Sequence, residues 1–289
     1  MGSGTWTSSS FVDYSKSIGR SITKSGLLDS SYGAQDLFKS RQIQPELNPY
    51  KVIRECRDSD EHPNTIPVIL ALDVTGSMGT AAAEVAKKLN EVMTRLYEIV
   101  TDVEFLIMGI GDLAYDLAPI QASQFESDIR IAEQLDKIYF EGGGGGNGYE
   151  SYTAAWYFGA RHTDLDCWKR GKKGILITMG DEPLNPYLPI SQLSFTTGDS
   201  LQDNVETTTM YQEVCEKFDI YHLSVDDKET SYRWRKETID RSWKQYLDDD
   251  HYKTVNLNNI SKTIVDIISS ANGNPIKMSE INNSDGIAW

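Results

Sequence analysis

The sequence predicts an α/β fold, a doubly wound and mostly parallel six-stranded sheet with helices on both faces. The first reason is the run at residues 66–72, which consists of apolar residues and one proline, as in a strand that is buried on both faces. The second is residues 79–100, where apolar residues recur at helical spacing with Lys and Glu between them. The third is that further apolar runs alternate with helical patterns as far as residue 270, which is typical of parallel strands joined by helices.

The predicted elements follow one another in regular alternation. Strands are predicted at residues 66–73, 103–111, 117–123, 174–179, 220–225 and 251–257. Helices are predicted at residues 79–100, 127–138, 152–161, 208–218, 231–247 and 260–270. The third strand is short and more polar, which is typical of a sheet edge, and residues 186–204 are predicted to form a long polar loop.

Composition predicts one folded domain with an extension at each end. At 289 residues, of which 39% are hydrophobic, the chain can bury one full core. Residues 1–63 are rich in Ser, Gly and other polar residues, and we expect an N-terminal extension that wraps the domain or reaches a partner. The domain is expected at residues 64–270, and residues 271–289 form a polar C-terminal tail.

Charge and cysteine content argue against several classes of protein. The formal net charge is −15 and the one short basic segment, residues 169–173, reads as a solvated loop, so we expect no nucleic-acid binding. Cys56, Cys167 and Cys215 lack the CxxC spacing, and we expect structural thiols in the reducing cytoplasm. No apolar run has the length of a signal-peptide core or a membrane span, so no membrane association is expected.

Three oxygen-bearing residues follow the first predicted strand at intervals of two. Asp73, Thr75 and Ser77 lie on the turn between that strand and the first helix of the domain. In open α/β sheets, ligands bind outside the carboxyl ends of the strands. A carboxylate with two hydroxyls, and no Cys or His near them in the sequence, suits a hard cation such as Mg²⁺ or Mn²⁺.

The pattern Asp73-x-Thr75-x-Ser77 after a buried strand resembles the metal-ion-dependent adhesion site of von Willebrand factor A domains. The usual pattern there is D-x-S-x-S, and Thr75 offers the same hydroxyl as the Ser it replaces. The polar lead-in at residues 54–65, together with LDVTGSMG, resembles a subgroup of A domains found in bacteria and their bacteriophages. The resemblance covers residues 64–270 and implies the strand order 3-2-1-4-5-6.

The stretch FEGGGGGNGYESY, residues 140–152, is the least ordinary in the chain. A phosphate cradle is one interpretation, but the G-K-[ST] of a P-loop is absent. In A domains the loop at this place supplies a further metal ligand. Asn147 falls where the family has Thr or Asp, and Glu150 matches the Glu of a G-G-G-D-x-x-E form, so the ligand is open among Asn147, Glu150 and Ser151.

The family also has an Asp after the fourth strand, commonly in the pattern I-T-D-G-E. Here the order is Met179-Gly180-Asp181-Glu182, so the carboxylate is displaced by two positions. Strands one and four are neighbours in the implied order, and we therefore expect Asp181 beside Asp73, joining the metal through water. Asp112 and Asp116 follow the second strand, where they either support the site or cap a loop.

The resemblance implies a protein-interaction module that is not an enzyme, in which a carboxylate of a protein partner completes the coordination of a bound divalent cation. A structural subunit of a virion or another assembly is the alternative. A Mg²⁺-dependent hydrolase of the haloacid-dehalogenase type is disfavoured, because such enzymes need a second Asp where this chain has Thr75. Moreover, none of the four histidines lies in the turns that would form the site.

Overall fold

The computed structural model describes residues 4–141, 148–226 and 233–271. In these ranges the strands are β1 (Arg54–Cys56), β2 (Ile66–Asp73), β3 (Val103–Ile110), β4 (Ile120–Ala122), β5 (Thr163–Leu165), β6 (Gly174–Gly180), β7 (Tyr187–Leu188), β8 (Val205–Glu206), β9 (Phe218–Val225) and β10 (Tyr252–Val255). The α-helices are α1 (Ser8–Ser17), α2 (Ala34–Leu37), α3 (Gly79–Ile99), α4 (Arg130–Leu135), α5 (Thr153–Arg161), α6 (Asp166–Lys169), α7 (Ile190–Thr197), α8 (Thr207–Lys217), α9 (Arg233–Trp243) and α10 (Ile260–Ala271). Short 3-10 turns lie at Pro45–Leu47 and Gly76–Met78.

The central sheet has six strands in the order β10-β9-β6-β2-β3-β4. All neighbours pair in parallel except β3 and β4, which are antiparallel. Counted along the chain within this sheet, the order is 3-2-1-4-5-6, which confirms the predicted doubly wound fold. The short third strand lies at the edge, as its polarity indicated.

The central strand β2 is buried on both faces because helices cover the sheet on both sides. Leu70 and Leu72 belong to one apolar layer, and Ile69 and Ala71 to the other, as the two-residue period of a strand requires. Helices α3 and α10 pack against each other on the first side. Helices α5 and α8 pack together on the second. Continuous apolar sequence in β2 therefore reflects burial on two sides.

The N-terminal segment wraps the domain and contributes to its core. Trp6, Phe11 and Leu37 are buried in the same apolar layer as α3. The Trp6 indole N–H donates a hydrogen bond of 3.1 Å to Oδ1 of Asn90 on α3. Strand β1 pairs in parallel with β5, outside the central sheet. The segment is therefore held by apolar burial, by side-chain hydrogen bonds and by strand pairing.

Residues 186–204 do not form the long polar loop that the sequence predicted. Within this range lies α7, and β7 pairs with β8 in a small antiparallel ribbon. The helix is preceded by Pro189 and ends at Gly198, whose φ of +79° is a left-handed helix cap that glycine adopts readily. Of its residues only Leu193 and Thr197 are buried, so it lacks the apolar period by which a helix is predicted.

The cysteines are free thiols, as their spacing predicted. Cys56 and Cys167 are buried among apolar side chains, and Cys215 is partly exposed. Burial raises the pKa of Cys167 to about 12, so its thiol stays protonated and unreactive at neutral pH. Among the described helices, none combines the length and the apolar character that crossing a bilayer would require.

Replacing Trp6 by Ala tests whether the N-terminal segment is part of the folded unit. The side chain is 5% exposed, and its loss should lower the free energy of unfolding by roughly 3–5 kcal/mol in urea denaturation. The matched control is Phe195→Ala on α7, where the ring is 85% exposed and the change should stay within about 0.5 kcal/mol. Equal effects of the two substitutions would mean that the segment is only loosely attached.

Candidate metal centre

The turn between β2 and α3 carries the first part of the candidate site. β2 ends at Asp73, whose side chain has no exposed surface. Its Oδ1 atom accepts hydrogen bonds from the Thr75 backbone N–H, at 2.9 Å, and from the Thr75 hydroxyl, at 2.6 Å. The 3-10 turn that follows leaves Ser77 exposed. The motif thus combines a buried carboxylate and hydroxyl with a second hydroxyl that solvent reaches, at the carboxyl edge of the sheet.

Asp181 lies next to this turn because β6 is the neighbour of β2 in the sheet. β6 ends at Gly180, and Asp181 follows directly. The Ser77 hydroxyl donates a hydrogen bond of 2.9 Å to Oδ1 of Asp181. The fold therefore brings together two segments that lie 104 residues apart in the sequence. Metal binding by these side chains stays a prediction.

Tyr152 contacts the second oxygen of the buried Asp73 carboxylate, although no motif in the sequence marks it as a site residue. Its hydroxyl donates a hydrogen bond of 2.7 Å to Oδ2 of Asp73. The Glu182 backbone N–H lies 3.3 Å from the same hydroxyl and donates to it. The ring fits because Gly180 has no side chain, since a Cβ there would collide with the ring and the hydroxyl of Tyr152. The sequence alone does not show the contact between Gly180 and Tyr152, because the two residues lie on different elements that only the fold brings together.

Of the three candidates for the loop ligand, Glu150 has a buried carboxyl oxygen without a described hydrogen-bond partner. It is 4% exposed, and its Oε2 atom has no hydrogen-bond partner among the described residues. The Ser151 hydroxyl accepts a hydrogen bond of 3.0 Å from the Leu113 backbone N–H, so it has a described partner and Glu150 Oε2 has none. Asn147 lies outside the described residues. Glu150 is therefore the candidate that the described part of the chain favours.

Asp112 and Asp116 organise the loop after β3, and the charge of Asp112 also acts on Glu150, whose pKa it raises. Oδ1 of Asp112 accepts a hydrogen bond of 2.8 Å from the Ala114 backbone N–H, and Oδ2 of Asp116 accepts one of 2.6 Å from the Asp112 backbone N–H. These are loop-capping bonds. However, Oδ2 of Asp112 is buried and has no hydrogen-bond partner in the described ranges. The two readings that the sequence left open therefore both have support at Asp112.

The site is short of positive charge. Burial raises the pKa of Asp73, and the charge of Asp181 raises it further, although the hydrogen bonds from Thr75 and Tyr152 oppose the shift. Burial also raises the pKa of Glu150, and the neighbouring carboxylates, Asp73 foremost, add to the shift. The pKa of Asp181 is raised by burial, against the hydrogen bond from Ser77 and the charge of Arg235. Folding therefore holds these carboxylates together at a cost when they are ionised.

The side chains that meet here fit a hard cation. Asp73, Thr75, Ser77, Glu150 and Asp181 offer only oxygen atoms, the ligand type that Mg²⁺ and Mn²⁺ prefer. No three His, Cys, Asp or Glu side chains of the described ranges are placed to hold an ion by themselves, so the two hydroxyls would have to share in the binding. The observation that favours a cation is the buried Glu150 oxygen that no described donor satisfies.

Stability in the absence of divalent metal should depend on pH through Glu150. A carboxyl whose pKa is raised on folding makes the native state bind more protons than the unfolded state, so the free energy of unfolding falls as pH rises above about 4. In EDTA, Glu150→Gln should therefore flatten this decline between about pH 5 and pH 8, and should stabilise the protein at pH 8 by on the order of 1 kcal/mol.

Urea denaturation at several pH values measures this slope, with the exposed Glu98→Gln as the matched control. The control should keep the slope of the unmodified chain. If Glu150→Gln also kept this slope, folding would not raise the pKa of the Glu150 carboxyl in the metal-free protein.

Comparisons with known proteins bear only on the fold. No family model and no curated protein matches the chain. Among solved structures, it is similar to the pilus adhesin SpaC from Lactobacillus rhamnosus GG in its open conformation, with 14% identity over 74% of this chain and a TM-score of 0.48. This chain spans 31% of the length of that adhesin.

Two further structures are similar over most of their own length. BatB from Bacteroides thetaiotaomicron, a conserved hypothetical protein, is 16% identical, with 72% of this chain and 99% of that chain covered and a TM-score of 0.45. The vWF domain of the type V pili tip protein Mfa5 from Porphyromonas gingivalis is 10% identical, with 78% and 98% covered and a TM-score of 0.38.

The strand order of the chain itself carries the assignment of its fold. The Asp73 motif follows the first strand of the central sheet, and Asp181 follows the fourth, which is its neighbour. This is the arrangement that the resemblance implied. The chain therefore has the fold of a von Willebrand factor A-type domain.

Proposed function

We propose that the chain is a metal-dependent protein-interaction module. Asp73, Thr75, Ser77, Glu150 and Asp181 would hold one Mg²⁺ or Mn²⁺ ion, with Asp181 acting through water. When bound, the ion supplies a coordination position that a carboxylate of a protein partner can fill. The observation that carries the proposal is the hydrogen bond between Ser77 and Asp181, together with the buried Glu150 carboxyl, whose Oε2 has no described partner and whose pKa is raised by burial and by the charges of Asp73 and Asp181.

Asp73, Thr75 and Ser77 would have different roles at this site. Asp73 is fully buried and is held on both oxygens, so it would act as a fixed negative charge behind the hydroxyls. The Thr75 hydroxyl donates a hydrogen bond to Asp73, which leaves its oxygen lone pairs available to a cation. Ser77 is exposed and lies on the side from which a partner would approach.

Apolar residues exposed near the site support a protein as the partner. Tyr115 and Leu117 are 59% and 85% exposed on the loop after β3, and Tyr149 next to Glu150 is 41% exposed. That loop is fixed on both sides, because Ser151 accepts a bond from Leu113 and Glu141 accepts one of 2.5 Å from the Ala118 backbone N–H. Tyrosine side chains such as those of Tyr115 and Tyr149 are, with Trp and Arg, the anchors that protein interfaces use most.

Titration calorimetry tests the metal site directly. The unmodified protein should bind one equivalent of Mg²⁺ or Mn²⁺, and Asp73→Asn and Ser77→Ala should each abolish or strongly weaken this binding. Asp203→Asn, an exposed position on the loop before β8, is the matched control and should bind as the unmodified protein does. At an Mg²⁺ concentration of about 100 times Kd, the ion should also stabilise the fold by roughly 2.7 kcal/mol.

Because Ser77 is exposed, Ser77→Ala should fold even if Asp73→Asn does not. An absence of heat above dilution in the unmodified protein would end the metal proposal. A partner should be retained on the immobilised protein in Mg²⁺, released by EDTA, and lost on Ser77→Ala. Retention of all partners in EDTA would instead favour a scaffold role in an assembly.

A further inference from the structure

An open groove of about 600 Å³ runs beside the proposed metal site. One wall is formed by α2 and the residues that follow it, including Phe38, Lys39 and Arg41. The groove is also lined by Phe140, by Gly76 in the turn before α3 and by Gly79 at the start of α3. Gly76 immediately precedes Ser77, so the groove reaches the turn that carries the exposed hydroxyl of the metal motif. Its volume lies in the range of sites that hold several ligand groups.

The wall that the N-terminal segment builds is fixed in place. Phe38 packs on Phe140 with ring centroids 4.7 Å apart, and Ser40 forms a parallel bridge with Tyr139. The groove thus keeps its shape without a ligand, which lowers the entropy cost of binding.

Arg20 stabilises this wall by bonding to both Leu37 and Asp136. Its guanidinium donates a hydrogen bond of 2.8 Å to the Leu37 carbonyl and two more, of 2.7 and 2.8 Å, to the Asp136 carboxylate. Both charged side chains are mostly buried, at 9% and 15% exposed. The carbonyl that ends α2 is therefore tied to the helix α4 region by a partly buried ion pair.

Two cations on this wall have no ion-pair partner in the described part of the chain. Lys39 and Arg41 are both exposed and form no salt bridge with a described carboxylate, although the charge of Lys39 acts on Asp136, whose pKa burial raises and this charge lowers. The described residues that line the groove include these two cations and no carboxylate, so the groove is locally positive in a chain whose net charge is −15. The groove also has an apolar surface, which includes the paired rings of Phe38 and Phe140.

We propose that this groove binds an acidic peptide segment of the partner protein. The inference rests on the proposed function, since one partner carboxylate would sit at the metal motif. A second acidic side chain of the same segment would then pair with Lys39 and Arg41, and an apolar side chain between the two would lie on Phe38 and Phe140. The site would thereby select a doubly acidic segment over a single exposed carboxylate.

Selection from a phage-displayed library of random peptides tests this on the full chain in Mg²⁺. Peptides enriched on the unmodified protein should carry at least two acidic residues separated by an apolar one. Enrichment on Lys39→Glu/Arg41→Glu should keep one acidic residue and replace the second by Lys or Arg. Selections without paired acidic residues, or identical selections on both proteins, would overturn the inference.

The best peptide, made synthetically, should bind Lys39→Glu/Arg41→Glu roughly tenfold or more weakly than the unmodified protein, as judged by fluorescence anisotropy. Mg²⁺ affinity in calorimetry should be the same for both. Lys24→Glu/Lys172→Glu makes the same charge change at two exposed lysines away from the groove and is the matched control. An equal loss in the control would mean that only net charge matters, which contradicts a groove.

The two proposals fail in different ways. If EDTA abolishes peptide binding but the groove variant does not weaken it, the metal function stands and the groove inference is wrong. If the groove variant abolishes binding and EDTA has no effect, the groove binds acidic peptides but the metal function is wrong. If the protein dimerises in Mg²⁺ in sedimentation, and the groove variant is monomeric, the occupant is a second copy of the chain and the peptide proposal is wrong.

Discussion

A carboxylate with no exposed surface lies at the end of the central strand, and the surrounding structure compensates it with hydrogen bonds alone. Asp73 accepts bonds from the Thr75 N–H and hydroxyl and from the Tyr152 hydroxyl. A buried charge without a cation is costly, and here Glu150 and Asp181 add to the cost because they carry the same sign. A cation bound at this sheet edge, as proposed, would offset that cost, and metal binding would then be linked to folding.

The topology of the sheet is what allows this arrangement. β2 lies between β3 and β6, so the turn after β2 meets the loops that follow both neighbours. From β6 come Gly180, which leaves room for the Tyr152 ring, and Asp181, which accepts from Ser77. From the loop after β3 comes a backbone N–H that fixes Ser151. The acidic residues therefore converge from segments that are distant in sequence. Each of these contacts depends on the order of the strands in the sheet.

Hydrophobic periodicity and the Asp73-x-Thr75-x-Ser77 motif were sufficient to predict part of the site from the sequence. The apolar run of β2, the helix after it and the position of Asp181 after a neighbouring strand were all predicted, because each is a local pattern or a consequence of strand order. Tyr152 was missed because its partner, Asp73, is contacted only across the fold. The wall formed by Lys39 and Arg41 was missed for the same reason, since an extension with little periodicity does not indicate where it packs.

Anomalous diffraction from crystals soaked in Mn²⁺ tests the central claim most directly, because it locates the ion without assuming its ligands. The account predicts one strong peak at the carboxyl edge of the sheet, next to Thr75, Ser77 and Asp181, and its loss in Ser77→Ala crystals. A peak confined to other acidic residues, or no peak at this edge at a Mn²⁺ concentration far above that used in solution binding, would contradict it.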